Sequence, residues 1–243
     1  MNAKSIIAAI FTIGFSGNVS AATIGYIEGS DGDAAANVSQ IAADLGLTDG
    51  GALALTGWNT MAGADLAAAF DVLVFGNFLS GALNADWTTR MLPYLNAGGS
   101  VIYEDSLNYT ELAAGGLTFG GSTVGVPIFS QSIAGLTDSG TIFSGENFAM
   151  SAVSSAWNVI GTNTSASVTA FRTFASGGTF FINGSANFFQ TTGSSNYIFA
   201  RNMVDYAVNT PAPVPLPAAM PLMLAALGAL GFMARRRKTT SPV

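Results

Sequence analysis

An apolar run close to the C-terminus constrains this chain more than any other feature. Residues 219–234 carry no charged side chain, and four cations follow at once. A helix needs roughly 20 residues to cross the hydrocarbon core of a bilayer, and about 17 is the short end of the workable range. Lipid cannot solvate a broken backbone, so a helix is the only local structure available there, even with Gly228 and Gly231. The sequence predicts one C-terminal transmembrane helix over residues 218–234.

The flanks of this run predict its orientation. Arg235, Arg236, Arg237 and Lys238 open the tail at residues 235–243, and such basic clusters stay on the cytoplasmic side. Residues 210–217 are rich in proline, which removes amide donors and favours an extended linker. The chain before the linker should therefore lie outside the cytoplasm.

The tail as a whole resembles a known class of sorting signal. It contains the motif Val214-Pro215-Leu216-Pro217-Ala218, then the apolar run, then the basic cluster. This order is similar to the VPLPA variant of the PEP-CTERM signals, which implies exosortase as a partner in a Gram-negative bacterium. The resemblance also implies a transient stay in the inner membrane, release to the cell surface or matrix, and a role in exopolysaccharide, biofilm or envelope. The alternative is an ordinary membrane anchor on a proline-rich stalk.

The N-terminus agrees with export. Lys4, an apolar run over residues 5–15 and Val19-Ser20-Ala21 form the three regions of a secretory signal peptide, which we assign to residues 1–22. Cleavage after Ala21 or Ala22 implies the secretion translocon and signal peptidase as partners. The alternative of a second membrane anchor is disfavoured because the apolar run is too short.

Composition excludes several functions for the exported body at residues 23–209. The body contains three arginines and all fourteen acidic residues of the chain, which gives a formal charge of −11. Such a body has no affinity for nucleic acid. The chain contains no cysteine and no histidine, so disulfides, thiolate sites and imidazole bases are absent.

The body reads as an α/β domain with a mostly parallel central sheet flanked by helices. Apolar runs predict strands at residues 23–27, 52–55, 71–75 and 100–103, and helices alternate with them. The predicted helices begin at Asp33, at residue 64 and after Asn84 or Asp86, and Pro93 should kink or shorten the third. This alternation favours parallel strands with crossover helices.

The second half of the body is less regular. Residues 115–167 are dominated by Gly, Ser and Thr and predict an irregular β insertion, with strand-prone runs at 124–129 and 141–143. The parallel pattern is expected to resume at residues 168–174 and 179–183. A helix at 196–208 should close the domain.

Three stretches of this body resemble the class I glutamine amidotransferase-like fold, in particular its ThuA-like branch. They are the third strand at residues 70–76, the helix and fourth strand at 92–102, and the last strand at 177–184 with the final helix. The resemblance implies a flavodoxin-like sheet and, in catalytic members, a cysteine in the turn after the fourth strand. The corresponding turn is Glu104-Asp105-Ser106, and neither the cysteine nor its histidine partner exists here. We therefore predict a protein that is not an enzyme.

Two further kinds of site remain open. Asp105 and Ser106 are candidates for a divergent hydrolase acting on envelope carbohydrate or peptide, against a turn or capping role. Glu28, Asp31 and Asp33 follow the first strand and could join Glu104 and Asp105 around Ca²⁺, a cation that prefers oxygen ligands. They serve equally well as loop residues with Asp33 as a helix cap.

Aromatic side chains near predicted loops offer a third kind of surface. Trp58, Trp157, Phe188 and Phe189 could stack on sugar rings. Burial in the core is the preferred interpretation, because about half the chain is apolar and most of it has to be buried.

Overall fold

A computed structural model describes residues 21–28, 32–76, 86–104, 110–124, 128–139, 146–163, 166–184 and 195–209. Residues 1–20 of the predicted signal peptide, the linker and the predicted transmembrane helix lie outside these residues, whereas Ala21 and Ala22 are described. None of the described helices is both long and apolar enough to span a bilayer. The elements run in the order β1 (Thr23–Ile27), α1 (Gly32–Leu45), β2 (Thr48–Leu53), α2 (Leu55–Thr60), α3 (Gly63–Ala69), β3 (Val72–Phe75), a π-helical turn (Trp87–Met91), α4 (Leu92–Asn96), β4 (Ser100–Glu104), a 3₁₀ turn (Thr110–Gly115), β5 (Leu117–Val124), β6 (Ile128–Phe129), β7 (Glu146–Val153), β8 (Asn158–Asn163), β9 (Ala166–Thr173), β10 (Thr179–Asn183) and α5 (Ser195–Asn209).

The strands form one mixed sheet with a parallel half and an antiparallel half. Strands β2-β1-β3-β4-β10 pair in this order and are parallel, which is the 2-1-3-4-5 order of flavodoxin-like sheets. Strands β9, β7 and β5 continue the sheet antiparallel, and β8 pairs with β9 and β6. The α/β class is confirmed, but the expectation of a mostly parallel sheet is wrong.

The turn between β9 and β10 explains this correction. The sequence pattern at residues 168–174 was expected to be a parallel strand, yet β9 runs antiparallel to β10. Only five residues separate the two strands, and a parallel crossover needs a dozen or more. The amide of Phe174 donates to the carbonyl of Gly178 at 2.8 Å, closing the hairpin. The Gly-rich segment before it also supplies antiparallel strands to the same sheet.

Helices cover both faces of the parallel half. On one face α1 and α5 pack on the sheet through Ile41, Phe199 and Met203, against Ile102 and Phe181. On the other face α2, α3 and the helical segment 87–96 pack through buried side chains of their own: Trp58, Leu66, Trp87, Met91, Tyr94 and Leu95. Every residue of β3, β4 and β10 is buried, which is why β3 and the central residues of β4 and β10 are apolar.

Three local features depart from the sequence prediction. Strand β2 begins at Thr48, not at residue 52. The sequence did not reveal its first residues because this edge strand exposes most of them and buries only Leu53. Helix α2 contains Gly57 and was not predicted. The helix expected after residue 84 starts with a π turn capped by Asp86, whose carboxylate accepts from the amide of Thr89 at 2.7 Å. Asn84, the other predicted cap, lies outside the described residues.

Candidate functional site

The carboxyl ends of the parallel strands meet at one edge of the sheet, which we call the carboxyl edge. Glu28 follows β1, Glu104 ends β4 and Asn183 ends β10. In open α/β sheets ligands bind in the crevice outside this edge. The segments that follow β1, β3, β4 and β10 here lie outside the described residues, so the site is built from the strand ends alone.

A row of three polar side chains is buried at the carboxyl edge. Glu104 is paired in register with Asn183, and Asn183 with Thr169 of β9. These side chains are exposed by 1%, 0% and 1% respectively, so all three are shielded from bulk solvent. In-register neighbours point to the same face of a sheet, and this face is the one that α5 covers. We refer to Glu104, Asn183 and Thr169 as the polar row.

The contacts of the polar row show what it can bind. The amide nitrogen of Asn183 lies 3.3 Å from the sulfur of Met203 in α5. Among the described residues, Oδ1 of Asn183 and Oγ1 of Thr169 have no hydrogen-bond partner. Next to Thr169, a Cβ on Gly161 would lie 2.9 Å from Oγ1, so glycine is required there. The row offers oxygen acceptors and a hydroxyl, which suit a water molecule, a hydroxylated ligand or a cation.

The predicted calcium ligands do not come together in the described part of the chain. Glu28 is exposed after β1, whereas Glu104 is the buried last residue of β4 and not a loop residue as predicted. The backbone of Asp33 belongs to α1, while Asp31, Asp105 and Ser106 lie outside the described residues. No group of three or more acidic side chains suited to a metal ion occurs among the residues that are described. Calcium binding and a hydrolytic Ser106 stay predictions.

The two described aromatic candidates belong to the core. Trp58 is fully buried and packs edge-on against Phe75, with ring centroids 4.8 Å apart. Trp157 is 6% exposed, and its indole nitrogen donates to the carbonyl of Gly115 at 2.8 Å. Burial as the preferred interpretation is confirmed for both, so neither can stack on a sugar ring. Phe188 and Phe189 lie outside the described residues.

Two of the three arginines of the body contact groups inside the domain, as the described residues show. Arg90 donates to the carbonyls of Trp58 and Met61, the second at 2.8 Å, and so caps the end of α2. Burial lowers the pKa of its guanidinium. Arg172 lies over the ring of Phe174 at 4.7 Å. The pKa of Asp44 is lowered by hydrogen bonds from Tyr197 and Gln40, and the charge of Arg201 adds a smaller effect.

A groove of about 190 Å³ lies at the opposite edge of the sheet, which we call the amino edge. It lies between the first and the last residues of the domain. Its lining includes Ala22 just before β1, Asp71 before β3, Ser100 at the start of β4, and Ala207 and Val208 at the end of α5. Sequence reasoning missed this groove. The pairs of adjacent glycines at 98–99 and 177–178 were the available signal, since Gly98 and Gly177 also line it.

Comparison with known proteins identifies the C-terminal tail. Residues 213–238 match the PEP-CTERM protein-sorting motif. This match indicates an exported protein processed by exosortase, with a cell-surface or extracellular fate in Gram-negative bacteria. The PEP-CTERM motif covers the predicted Pro-rich motif, apolar run and basic cluster in full. No curated protein matches the sequence.

The α/β domain is similar to solved structures of low sequence identity. A cytoplasmic protein from Salmonella typhimurium has a TM-score of 0.53 at 10% identity, over 76% of this chain and 98% of that chain. A ThuA-like protein from Bacteroides uniformis has a TM-score of 0.49 at 10% identity, over 76% of this chain and 89% of that one. At 10% identity the first likeness establishes the fold and nothing about activity.

Proposed function

We propose that this protein is a non-catalytic component of the extracellular polysaccharide matrix, biofilm or envelope, delivered by a VPLPA-type PEP-CTERM signal. The predicted signal peptide, cleaved after Ala21 or Ala22, takes the chain to the secretion translocon. The helix at residues 218–234 then holds it in the inner membrane as a transient intermediate until exosortase acts. The observation that carries the proposal is the PEP-CTERM match at residues 213–238.

The chemistry of the chain supports an interaction module over an enzyme. The sequence has no cysteine and no histidine, so the nucleophile and base of amidotransferases of this fold have no counterpart. We place the domain in the ThuA-like branch on the sequence resemblance above. The polar row then acts as a buried binding or packing feature beneath α5, with Glu104 sequestered from bulk solvent.

The position of the chain ends supports an orientation in which the carboxyl edge faces away from the attachment surface. Ala22 and Val208 line one groove at the amino edge, so the linker to the sorting signal leaves the domain there. The carboxyl edge lies at the other end of the strands. A domain attached through its C-terminus would therefore present the carboxyl edge away from the attachment surface.

Deletion and binding experiments test this proposal. Removing residues 214–243 should abolish exosortase-dependent processing and change the cell fraction in which the protein is found. The processed protein should also bind exopolysaccharide from the same organism without turnover, in a sedimentation assay. Unchanged processing after the deletion would contradict the sorting by exosortase. No retention by matrix polysaccharide would contradict the role in the matrix.

A divergent hydrolase acting on envelope carbohydrate or peptide is the second candidate. The burial of Glu104 at the carboxyl edge favours it, since buried carboxyls at such edges can act as acids or bases. Turnover by the processed protein that disappears in Glu104→Gln, Asp105→Asn or Ser106→Ala would favour this function. The matched control is Asp65→Asn in α3, which should retain any turnover.

A further inference from the structure

The amino-edge groove lies where the predicted signal cleavage would leave a new chain end. Ala22 forms part of its lining, together with Asp71 and the last turn of α5. Cleavage after Ala21 would place a free α-amino group on Ala22, and cleavage after Ala22 would place it on Thr23. Either product puts a cationic chain end beside this groove.

Three hydrogen bonds of residues 22 and 23 help to hold the start of the domain in place. The carbonyl of Ala22 accepts from the amide of Thr48 at 2.9 Å. The amide of Thr23 donates to Oδ2 of Asp71 at 2.7 Å, and the amide of Asp71 donates back to the carbonyl of Thr23 at 2.8 Å. Cleavage after Ala22 would remove the acceptor of Thr48. Cleavage after Ala21 leaves all three bonds intact.

The groove also has the electrostatic character of a cation site. Asp71 contributes a carboxylate, and the C-terminal end of a helix carries about half a negative charge. Helix α5 is 15 residues long and has no basic side chain in its last turn. The chain has no lysine between Lys4 and Lys238, so no lysine of the body can supply the charge. A primary ammonium group on Ala22 would provide it.

We propose that signal peptidase cuts after Ala21 and that the freed ammonium group of Ala22 binds in this groove, against Asp71 and the end of α5. The inference rests on the proposed export. In the precursor, residue 22 contributes a neutral amide, so the ion pair forms only after the signal peptide is removed. Processing therefore stabilises the folded domain on the outer side of the membrane.

The N-terminus of the exported protein tests the cleavage site. Intact-mass measurement of protein recovered from exporting cells should give a chain that begins at Ala22. A chain that begins at Thr23 would overturn the cleavage site. A chain that keeps residues 1–21 would contradict the export on which this inference rests, and the inference with it.

Acetylation of the new N-terminus tests the ion pair separately from export. Once the tail is removed, the α-amino group is the only primary amine, because the two lysines are Lys4 and Lys238. Acetylation should lower the Tm by about 2–4 °C, the shift expected for one favourable surface interaction in a domain of this size. Salt at about 1 M should reduce this loss, because the Debye length falls to about 3 Å.

Matched variants make the result specific. In Asp71→Asn, acetylation should have less than half of its effect on the wild-type Tm, because the carboxylate partner is gone. In Asp65→Asn, on α3, the full effect should remain. An equal loss in wild type and Asp71→Asn, or no loss in wild type, would overturn the proposal while leaving export unaffected.

Discussion

At the residue scale, glycine allows two turns to pack together at the amino edge. A Cβ on Gly178 would lie 2.7 Å from the carbonyl oxygen of Leu95 and closer still to that of Gly99. Ser176 next to it donates to the same Leu95 carbonyl at 2.5 Å. These glycines belong to the stretches that resemble the amidotransferase-like fold, so the resemblance here is one of packing.

Replacing Gly178 by alanine should therefore destabilise the domain. The added methyl group meets backbone atoms that cannot move aside, and we expect a loss of about 1–3 kcal/mol in the free energy of unfolding. The measurement is urea denaturation followed by tryptophan fluorescence. Gly57→Ala in α2 is the control, because its Cβ meets the flexible end of Leu53 at 3.0 Å. Equal stability of Gly178→Ala and wild type would contradict the packing argument.

A second residue-scale contact joins α5 to α1. The hydroxyl of Tyr197 donates to Oδ2 of Asp44 at 2.8 Å. Burial and the Asp44 hydrogen bond raise the pKa of Tyr197, while the Tyr197 hydrogen bond lowers the pKa of Asp44. Asp44 thus contributes stability above about pH 4, its unfolded value, and loses it as pH falls through the lower folded value.

Tyr197→Phe should reduce stability by about 1 kcal/mol at pH 7, the typical net value of one hydrogen bond. The difference between variant and wild type should shrink below about pH 4, as Asp44 becomes protonated. Thermal unfolding between pH 3 and 7 measures both. A difference that does not change with pH would show that the hydroxyl acts through packing alone.

At the element scale, the polar row at the carboxyl edge could not be found from the sequence. Glu104 was predicted in a loop, and Thr169 and Asn183 were treated as ordinary strand residues. Their alignment comes from the β4-β10-β9 pairing, which depends on the antiparallel hairpin. Asn183 and Thr169 lie 79 and 65 positions after Glu104, so no local sequence pattern indicates that they are its neighbours.

The hydroxyl of Thr169 is buried and has no hydrogen-bond partner among the described residues. Thr169→Val keeps the shape and removes the hydroxyl, so stability should rise by about 1 kcal/mol. Thr118→Val is the control, since Thr118 is exposed and its hydroxyl lies 3.1 Å from that of Ser151. Urea denaturation gives both values. A clear loss of stability in Thr169→Val would show that the hydroxyl holds a bound water or ligand.

Elements buried on both faces were predictable, and edge elements were not. The central residues of β3, β4 and β10 are apolar because helices cover both faces of these strands. The apolar run at residues 52–55 predicted only the end of β2, since this strand lies at the sheet edge and exposes Thr48, Asp49 and Gly50. The direction of β9 depended on the short turn at residues 174–178, which the apolar pattern alone could not reveal.

At the scale of the whole molecule, the domain has its two described ends at one pole and its polar row at the other. Ala22 and Val208 both line the groove at the amino edge, so the predicted signal peptide and the C-terminal sorting signal leave the domain on the same side. Sequence composition predicted an acidic body without imidazole or thiol chemistry. It could not predict that Arg90 would cap α2 or that Arg172 would lie over the ring of Phe174.

The central claim is that exosortase processes this chain at its C-terminus. The most direct measurement is the intact mass of the protein from wild-type cells and from cells that lack exosortase. We predict that wild-type cells yield a chain without Arg235, Arg236, Arg237 and Lys238, and that cells without exosortase retain the full tail in the membrane fraction. The same C-terminus and the same cell fraction in both strains would contradict the account.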